Sequence, residues 1–245
     1  MSTTVTTNRA LLSSVETNGY AFVEGAAMRE LLAPFGPLAD WDAFSRSWDR
    51  LELDTYMADG GRYRRRRHAT YVATSRGIAR AAHTPHYQAV DYNPLNGGVA
   101  RWFEPIEDTI GSGPTLHAVL DYCAATFGTL SPSTREWHVE AHQFRIEARA
   151  GAAGRPTPEG LHRDGVDYVL VLLVNRRNIA SGVTGIHSLE GRTLGRFTLT
   201  DPLDAAIVDD HRVAHGVTAV EPIDPSQPAY RDVLVVTFRA QDLRT

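Results

Sequence analysis

The sequence contains only one cysteine among its 245 residues, Cys123. A single thiol excludes an intramolecular disulfide and a cysteine-rich zinc site, and Cys123 is predicted to pack as a small apolar residue rather than to act as a nucleophile. The sequence also lacks an apolar run of membrane-spanning length, and Met1–Arg9 is polar, without the apolar core of a signal peptide. These absences favour a cytoplasmic location and no membrane partner.

Positive charge is not in excess, since 25 lysines and arginines face 29 aspartates and glutamates, a formal net charge of −4. A general nucleic-acid binder needs a basic surface to offset phosphates, so no nucleic-acid partner is expected. The one basic run is Arg64-Arg65-Arg66-Arg67, and such runs are usually solvated. If it forms a strand, Arg64 and Arg66 lie on one side and Arg65 and Arg67 on the other, and one of them could reach a substrate carboxylate.

The length and the apolar pattern predict a single domain over 1–245 with two different parts. The first part, 1–135, is predicted to be helix and loop with some strands. Its predicted elements are a helix that includes Ala10–Val15, a short strand at Tyr20–Val23, a helix at Met28–Ala33 stopped by Pro34 and Pro37, and a helix at Thr115–Phe127 stopped by Gly128.

The second part, 136–240, is predicted to be a succession of short strands. Alternating or β-branched apolar residues, separated by turns rich in glycine and proline, indicate a sandwich or a barrel. The predicted strands are Trp137–Ala148, Val166–Val174, the hairpin of Ser181–Leu189 and Gly191–Thr200, Asp204–Val208, Val213–Val220 and Val233–Phe238.

The most informative motif in this part is His162-Arg163-Asp164, with His215 further along the chain. Residues i and i+2 of an extended strand point to the same side, so His162 and Asp164 can both reach one ion. Two imidazoles and one carboxylate can occupy one face of an octahedral metal ion and leave positions open for a cosubstrate and O₂, which suits non-haem Fe(II). The spacing therefore predicts a metal site that a histidine from a later strand completes.

The residues around this motif resemble the bacterial Fe(II)/2-oxoglutarate-dependent dioxygenases typified by L-isoleucine 4-hydroxylase. The similar segments are Pro158–Tyr168 (PEGLHRDGVDY), His215–Thr218 (HGVT) and Arg231–Phe238 (RDVLVVTF), with weaker similarity at His142–Ile146 and Gly97–Phe103. The resemblance implies a mainly β fold with flanking helices and a double-stranded β-helix (jelly-roll, cupin-like) core, with 136–240 carrying the metal site. It also implies Fe(II), 2-oxoglutarate as cosubstrate and O₂, with ascorbate as a supporting reductant.

The expected iron ligands and catalytic centre are His162, Asp164 and His215. His211 competes for the distal position, but only His215 is followed by the Gly-Val-Thr that resembles the family. Weaker candidates are three other histidines, His138, His142 and His187. In related halogenases a small residue replaces the acid and chloride takes the vacant position. Because Asp164 is present, hydroxylation is favoured over halogenation, while desaturation and ring closure stay open.

The second expected feature is a cation for the 5-carboxylate of 2-oxoglutarate. In this superfamily an arginine or lysine lies on the strand after the distal histidine, and arginine can bind a carboxylate bidentately. Arg231 begins the last predicted strand and is favoured over Arg239. Arg239 ends that strand, and its side chain points to the same side as that of Arg231. Thr237 or Thr218 could donate a hydroxyl to the same carboxylate.

A polar row on the strand that begins at Trp137 provides further candidates. Gln143 and Arg145 point to one side of a regular strand, and one of them could contact the 1-carboxylate of 2-oxoglutarate or the substrate. The alternative is that this row faces solvent. Gln143 is therefore a candidate for cosubstrate binding together with Arg231 and Thr237.

The resemblance implies a small-molecule substrate, and known members of the family hydroxylate free aliphatic L-amino acids. The candidate substrate contacts are Asp167, Tyr168, Arg163 and Glu159. Other possible functions are an oxygenase for a carrier-tethered amino acid or natural-product intermediate, a jelly-roll metalloenzyme of different chemistry, and a 2-oxoglutarate sensor without catalysis. A buried carboxylate anchor argues against the metalloenzyme of different chemistry, and an intact triad argues against the sensor. The oligomeric state stays open, with a homodimer as one option.

Overall fold

The computed structural model describes residues 7–93 and 95–241, so residues 1–6 of the predicted polar N-terminal segment lie outside the described residues. The helices are α1 (Asn8–Asn18), α2 (Gly25–Leu32), α3 (Trp41–Arg46), α4 (Asp108–Gly111) and α5 (Pro114–Leu130). The strands are β1 (Tyr20–Val23), β2 (Glu52–Leu53), β3 (Arg64–Thr74), β4 (Gly77–Arg80), β5 (Glu136–Ala148), β6 (Tyr168–Arg177), β7 (Ile179–Ser181), β8 (Val183–Ser188), β9 (Thr193–Thr198), β10 (Ala205–Asp209), β11 (Val213–Val217), β12 (Val220–Pro222) and β13 (Ala229–Ala240).

Eight of these strands form a major antiparallel sheet in the order β1-β10-β6-β13-β5-β3-β2, with β4 paired to β3. A minor sheet has the order β11-β8-β9, and β12 pairs with β7. The mainly β fold with flanking helices and the double-stranded β-helix predicted from the sequence are thereby confirmed. The major sheet is not confined to 136–240, however, because β1 and β3 from the N-terminal part belong to it.

The central strands of the major sheet bury both faces, and residue parity decides which face each side chain joins. On β13, Leu234, Val236 and Phe238 join the core cluster that the helices cover. Val233 belongs to the second cluster, where the major sheet packs against Ile186 of the minor sheet. The even residues of β13 therefore face the helices and the odd residues face the space between the two sheets.

Helix α5 covers the helical side of the major sheet through the apolar face that its sequence predicts. Leu116, Leu120 and Phe127 are fully buried in the core beneath it. The predicted stop at Gly128 is wrong, since α5 continues to Leu130. A glycine inside a helix costs only about 1 kcal/mol relative to alanine, and the burial of this apolar face outweighs that local cost.

The basic run lies on β3, which the sequence could only suggest conditionally. Arg64 and Arg66 are buried, at 6% and 3% exposure, on the side that faces the minor sheet. Arg65 and Arg67 point the other way, where Arg65 pairs with Glu147 at 2.7 Å. Among the described residues, no helix is both long and apolar enough to cross a membrane.

Candidate active site

A short backbone bridge brings the two predicted histidine ligands together. The N–H of His162 donates to the carbonyl of His215 at 3.0 Å, and the N–H of His215 donates to the carbonyl of His162 at 2.9 Å. Residues that exchange both bonds in an antiparallel pair project their side chains to the same face. The two imidazole rings accordingly lie with their centroids 4.6 Å apart. Asp164 lies two residues after His162 and completes the group, with contacts of 3.7 Å to His162 and 3.6 Å to His215.

The three side chains converge through the atoms that a metal would use. Asp164 Oδ1 lies 3.7 Å from His162 Nε2 and Asp164 Oδ2 lies 3.6 Å from His215 Nε2. Candidate ligand atoms of all three residues lie within 4.8 Å of one another. His162 Nδ1 is 3.1 Å from the carbonyl oxygen of Gly160, which accepts only, so Nδ1 carries a proton and Nε2 is the nitrogen that a metal would bind, displacing any proton there. The donor set and its geometry therefore fit the iron site that the sequence predicts.

Charge within the group is unequal between the two histidines. Burial by itself lowers the pKa of His162, but the hydrogen bond and charge of Asp164, with Glu159 nearby, outweigh it and raise that pKa to about 9. Burial and the neighbouring His162 lower the pKa of His215 to about 4. Burial opposes ionisation of Asp164, yet the two histidines hold its pKa well below the usual range. The group thus keeps an ionised carboxylate in a buried position.

Asp210 holds the backbone that carries Asp164, a role that sequence reasoning did not assign. Its carboxylate accepts three backbone N–H groups, from Asp164 at 2.9 Å, Gly165 at 2.7 Å and Val166 at 3.2 Å. Burial and the charge of Asp164 raise the pKa of Asp210. Gly165 has a φ of +78°, and a Cβ there would come within 2.6 Å of the Tyr92 ring. The turn after Asp164 therefore depends on both a carboxylate and a glycine.

The triad opens into a cavity of about 260 Å³ between the two sheets. Arg231, Thr237 and Arg239 all line this cavity from β13, as their shared parity predicts. Apolar side chains of the same lining include Val171, Val233 and Val235. A cavity that combines apolar walls with a few charged groups is typical of a small-molecule site.

Arg231 is the most unusual of these residues because its buried guanidinium has unsatisfied donors. It is 2% exposed, and both Nε and Nη2 lack a hydrogen-bond partner among the described residues. These two nitrogens form one edge of the guanidinium, the edge on which a carboxylate binds with two parallel hydrogen bonds. Burial and the nearby Arg176 lower the pKa of Arg231 to about 10, which still leaves it protonated at neutral pH. A bound carboxylate would satisfy both donors.

Gln143 lies on the opposite face of β5 from the cavity and cannot contact a cosubstrate there. Its Nε2 donates to Ser47 Oγ at 2.7 Å on the helical side of the sheet. Arg145 shares this face and pairs with Asp232 at 2.7 Å. The parity inferred for the two residues was correct, but the row that faces the cavity is the alternate one, which includes His142 and Phe144.

Of the four predicted substrate contacts, Glu159 alone lines the cavity. Tyr168 is buried on the helical side of β6, where its ring stacks on Phe127 at 4.8 Å and its hydroxyl lies 2.9 Å from Ser131 Oγ. Asp167 accepts the backbone N–H of Ala240 and pairs with a histidine on the surface. The Arg163 guanidinium lies 5.3 Å from the centre of the Tyr92 ring, outside the cavity lining. These three residues therefore have structural surroundings outside the cavity lining.

Three of the competing candidates, His211, His187 and Thr218, are not among the residues that line the cavity. His211 is an exposed residue 3.0 Å from Asp167, and His187 contacts its own hairpin near Thr193. Thr218 accepts the backbone N–H of Val183 through its hydroxyl. His138 and His142 do line the cavity, although neither belongs to the triad group.

The largest feature that sequence reasoning missed is a group of histidines around Glu140 on β5. The group that could hold an ion comprises His68, His86, Glu140 and His142. Glu140 Oε2 lies 2.7 Å from His86 Nδ1 and 3.2 Å from His142 Nε2. Burial raises the pKa of Glu140, but hydrogen bonds from the histidines hold it well below the usual range. The only sequence signal was the alternation of His138, Glu140 and His142.

The hydrogen bonds of His142 favour a polar network over a second metal site. The Arg66 Nη2 atom lies 2.8 Å from His142 Nδ1, and a guanidinium has no lone pair to accept a bond. His142 Nδ1 must therefore accept, which puts the ring proton on Nε2, facing Glu140. An Nε2 that carries a proton has no lone pair for a metal, so His142 is a donor to Glu140.

An antiparallel jelly roll whose cavity combines two histidines, one aspartate and an open arginine defines the class of non-haem iron oxygenases. The comparison with known families agrees: the chain belongs to the 2OG-Fe dioxygenase family, whose model matches residues 45–237. It is therefore a dioxygenase, and membership implies Fe(II), 2-oxoglutarate and O₂. The family resemblance found in the sequence is confirmed.

Two curated relatives carry amino acid names. The chain is 26% identical over 239 residues to 3(1)-hydroxy-L-isoleucine 4-dioxygenase of Pantoea ananatis, which covers 93% of this chain and 94% of the relative. It is 27% identical over 162 residues to L-isoleucine-4-hydroxylase of Bacillus thuringiensis, which covers 65% of this chain and 67% of the relative.

Solved structures show the same fold over nearly the whole chain. A bsmA homolog from Methylobium petroleophilum PM1 superimposes with a TM-score of 0.88 at 35% identity, over 97% of this chain and 95% of that one. The structure titled IDO from Bacillus thuringiensis superimposes with a TM-score of 0.77 at 19% identity, over 96% of this chain and 100% of that one. The second likeness concerns the fold alone.

Proposed function

We propose that the protein hydroxylates an unactivated C–H bond of a free aliphatic L-amino acid, with succinate and CO₂ as coproducts. In this proposal His162, Asp164 and His215 hold Fe(II), and Arg231 binds the 5-carboxylate of 2-oxoglutarate. The observation that carries it is the buried Nε and Nη2 edge of Arg231, which has no partner in the described part of the chain and lies in the same cavity as the triad. The choice of amino acid is supported by the names of both curated relatives, which refer to L-isoleucine or its hydroxy derivative.

The bound iron would supply the oxidising chemistry, in which decarboxylation of 2-oxoglutarate by O₂ is coupled to C–H hydroxylation. The residues of the chain contribute positions and charge. The Asp164 carboxylate occupies the position that chloride takes in halogenases, which favours hydroxylation. Val171, Val233 and Val235 line the cavity with apolar surface, which limits water near the reacting C–H bond.

The open edge of Arg231 also bears on the other functions that the sequence permits. A jelly-roll isomerase or hydrolase that uses the same metal ligands has no need of a buried carboxylate anchor. A sensor of 2-oxoglutarate would need the anchor but not turnover. Conversion of 2-oxoglutarate to succinate separates the proposed enzyme from both.

The test measures succinate formed by anaerobically purified protein supplied with Fe(II), ascorbate, 2-oxoglutarate and O₂, with each of the twenty L-amino acids in turn. We expect a gain of one oxygen atom in at least one aliphatic amino acid, in step with succinate. The Asp164→Ala variant, which removes the only carboxylate of the triad, should lose both products. An Asp224→Asn variant, changed in an exposed turn, should keep them. Succinate without any modified amino acid would overturn the substrate, and no succinate at all would overturn the oxygenase.

A further inference from the structure

The cavity contains a second arginine whose carboxylate-binding edge is open. Arg101 is 2% exposed and lines the cavity. Its Nε and Nη2 atoms have no hydrogen-bond partner among the described residues, which is the same unsatisfied edge that Arg231 presents. Burial lowers the pKa of Arg101. A buried guanidinium without hydrogen-bond partners costs free energy, and a bound anion would remove that cost. Two open edges in one cavity indicate two carboxylates.

The neighbouring arginines are already occupied and do not compete for this role. Arg64 donates from Nε and Nη2 to Asp54 at 2.8 and 2.7 Å. Arg66 Nη2 lies 2.8 Å from His142 Nδ1, its guanidinium lies over the Phe103 ring at 3.6 Å, and its Nε has no hydrogen-bond partner among the described residues. Arg101 therefore offers the paired Nε and Nη2 donors that a carboxylate binds bidentately, whereas the same edge of Arg66 already donates to His142 through Nη2.

An unsatisfied carboxylate oxygen lies in the same cavity. Glu159 Oε2 is buried without a hydrogen-bond partner in the described part of the chain, and its side chain is 8% exposed. Glu159 lies close enough to Arg101 for its charge to raise the pKa of that arginine, yet the two form no ion pair within the described residues. Within the described residues, the group of mutually close metal-ligand atoms at the triad does not include Glu159.

An open cation and an open anion that face one cavity without touching match a ligand with both charges. We infer that Arg101 binds the α-carboxylate of the substrate and that Glu159 binds its α-ammonium, a role that goes beyond the iron and 2-oxoglutarate contacts. This inference rests on the proposed function, since it assigns the other open edge, on Arg231, to 2-oxoglutarate. It requires a free amino acid, because a carrier-tethered one has a neutral thioester in place of the carboxylate.

The positions of Arg101 and Glu159 are consistent with these two roles in substrate binding. Arg101 is held by a backbone bridge with His86 on the loop between β4 and α4, with N–H to carbonyl distances of 2.9 and 3.0 Å. Glu159 lies on the loop that carries His162, with Oε1 3.6 Å from His162 Nε2. A substrate bound by Glu159 would have its α-carbon near the proposed iron ligands, and its side chain would extend over the apolar wall.

The experiment measures ligand binding rather than turnover, by calorimetric titration of the protein loaded with Mn(II) and the unreactive 2-oxoglutarate analogue N-oxalylglycine. The twenty L-amino acids are tested first. The best ligand is then compared with its primary carboxamide and with its des-amino carboxylic acid. Loss of one charge that pairs with a buried group should weaken binding on the order of 30-fold or more.

Two variants assign each charge to its residue. In Arg101→Met, the Kd values of the amino acid and of its carboxamide should differ by no more than about 3-fold. In Glu159→Gln, the Kd values of the amino acid and of its des-amino carboxylic acid should likewise differ by no more than about 3-fold. The exposed controls Arg76→Met and Glu190→Gln should keep both differences. If Arg101→Met fails to fold, the ligand series on the unmodified protein still decides whether both charges are required.

Several results would overturn the inference. One is equal binding of the amino acid and its carboxamide by the unmodified protein, and another is no binding of any L-amino acid. A third is loss of Mn(II) affinity in Glu159→Gln, which would make Glu159 a metal ligand. Loss of N-oxalylglycine binding in Arg101→Met, with binding kept in Arg231→Met, would exchange the roles of the two arginines. Failure of N-oxalylglycine to bind the unmodified protein would instead overturn the proposed function and, with it, this inference.

Discussion

At the scale of single residues, the cavity depends on one buried carboxylate, Asp54, which compensates the arginines of β3. It contacts Arg64 at 2.7 Å and Arg66 at 3.9 Å, and its side chain has no exposed surface. Burial by itself raises the pKa of Asp54, but the two arginines outweigh that effect and lower it. A buried charge of this kind is costly when its partner is removed.

Asp54→Asn should therefore destabilise the protein by roughly 3–5 kcal/mol near neutral pH, because it leaves Arg64 without a counter-charge. The pKa of Asp54 in the folded state lies below its unfolded value of about 3.9. Its ionisation thus adds stability above that value, and this contribution is lost as the pH falls through the folded pKa. The difference in the free energy of unfolding in urea between the variant and the unmodified protein should be constant from about pH 7 to about pH 4 and should narrow as the pH falls from about 4 to about 2. A difference that stays constant at the acid end as well would contradict the assignment, and the exposed Asp42→Asn serves as the control.

At the scale of elements, glycines have opposite roles in helix α5 and in the loop that carries Asp164. Gly128 is helical, and a Cβ added to it would meet nothing within 4 Å. Gly165 has a φ of +78° and lies against the Tyr92 ring. A side chain is therefore free of strain at the first position and strained at the second.

Gly128→Ala should raise the free energy of unfolding by roughly 0.5–1 kcal/mol, since alanine loses less backbone entropy in a helix. Gly165→Ala should lower the free energy by at least a similar amount, because alanine is disfavoured at positive φ and Tyr92 has to move. It should also weaken Mn(II) binding, since the turn positions Asp164, whereas Gly128→Ala leaves metal binding unchanged. Urea unfolding and metal titration measure both effects. Equal metal affinity in the two variants would remove the proposed role of the turn.

At the scale of the whole molecule, the site joins parts that pack on different sides of the cavity. His215 lies on β11 of the minor sheet, while Arg231 lies on β13 of the major sheet. His162 reaches the minor sheet through its backbone bridge to His215. A metal and a cosubstrate bound between these residues would connect the two sheets, so ligand binding should be visible in the stability of the entire fold.

Stepwise loading should therefore raise the thermal unfolding temperature in two increments, the first with Mn(II) and the second with N-oxalylglycine. A ligand at a hundred times its Kd adds about 2.7 kcal/mol to the folded state. Arg231→Met should keep the first increment and lose most of the second, while Arg231→Lys should recover part of it through charge alone. Scanning calorimetry at fixed ligand concentrations measures both. An undiminished second increment in Arg231→Met would show that another residue binds the distal carboxylate.

The residue pattern over short stretches of sequence was sufficient to predict those features that depend only on spacing along the chain. The two-residue separation of His162 and Asp164, and the alternation along β5 and β13, follow from strand geometry and could be predicted. Seven of the nine strands that the structure has in 136–240 were predicted to within a few residues, whereas the short strands β7 and β12 were not predicted as separate elements. The β3 strand was only suggested, because its four arginines hide the apolar alternation that normally identifies a strand.

The sequence by itself determined the triad candidates, the arginine on the last strand and the class of fold, because each depends on local periodicity and on motifs that resemble a known family. Only the tertiary structure decided which face of β5 lines the cavity, and so set Gln143 aside in favour of the row with His142. It likewise brought Arg101 and Glu159 into one cavity, and placed Asp210 under the turn that carries Asp164. Parity states which residues share a face, but sheet packing and loop closure over long stretches of chain determine where that face points.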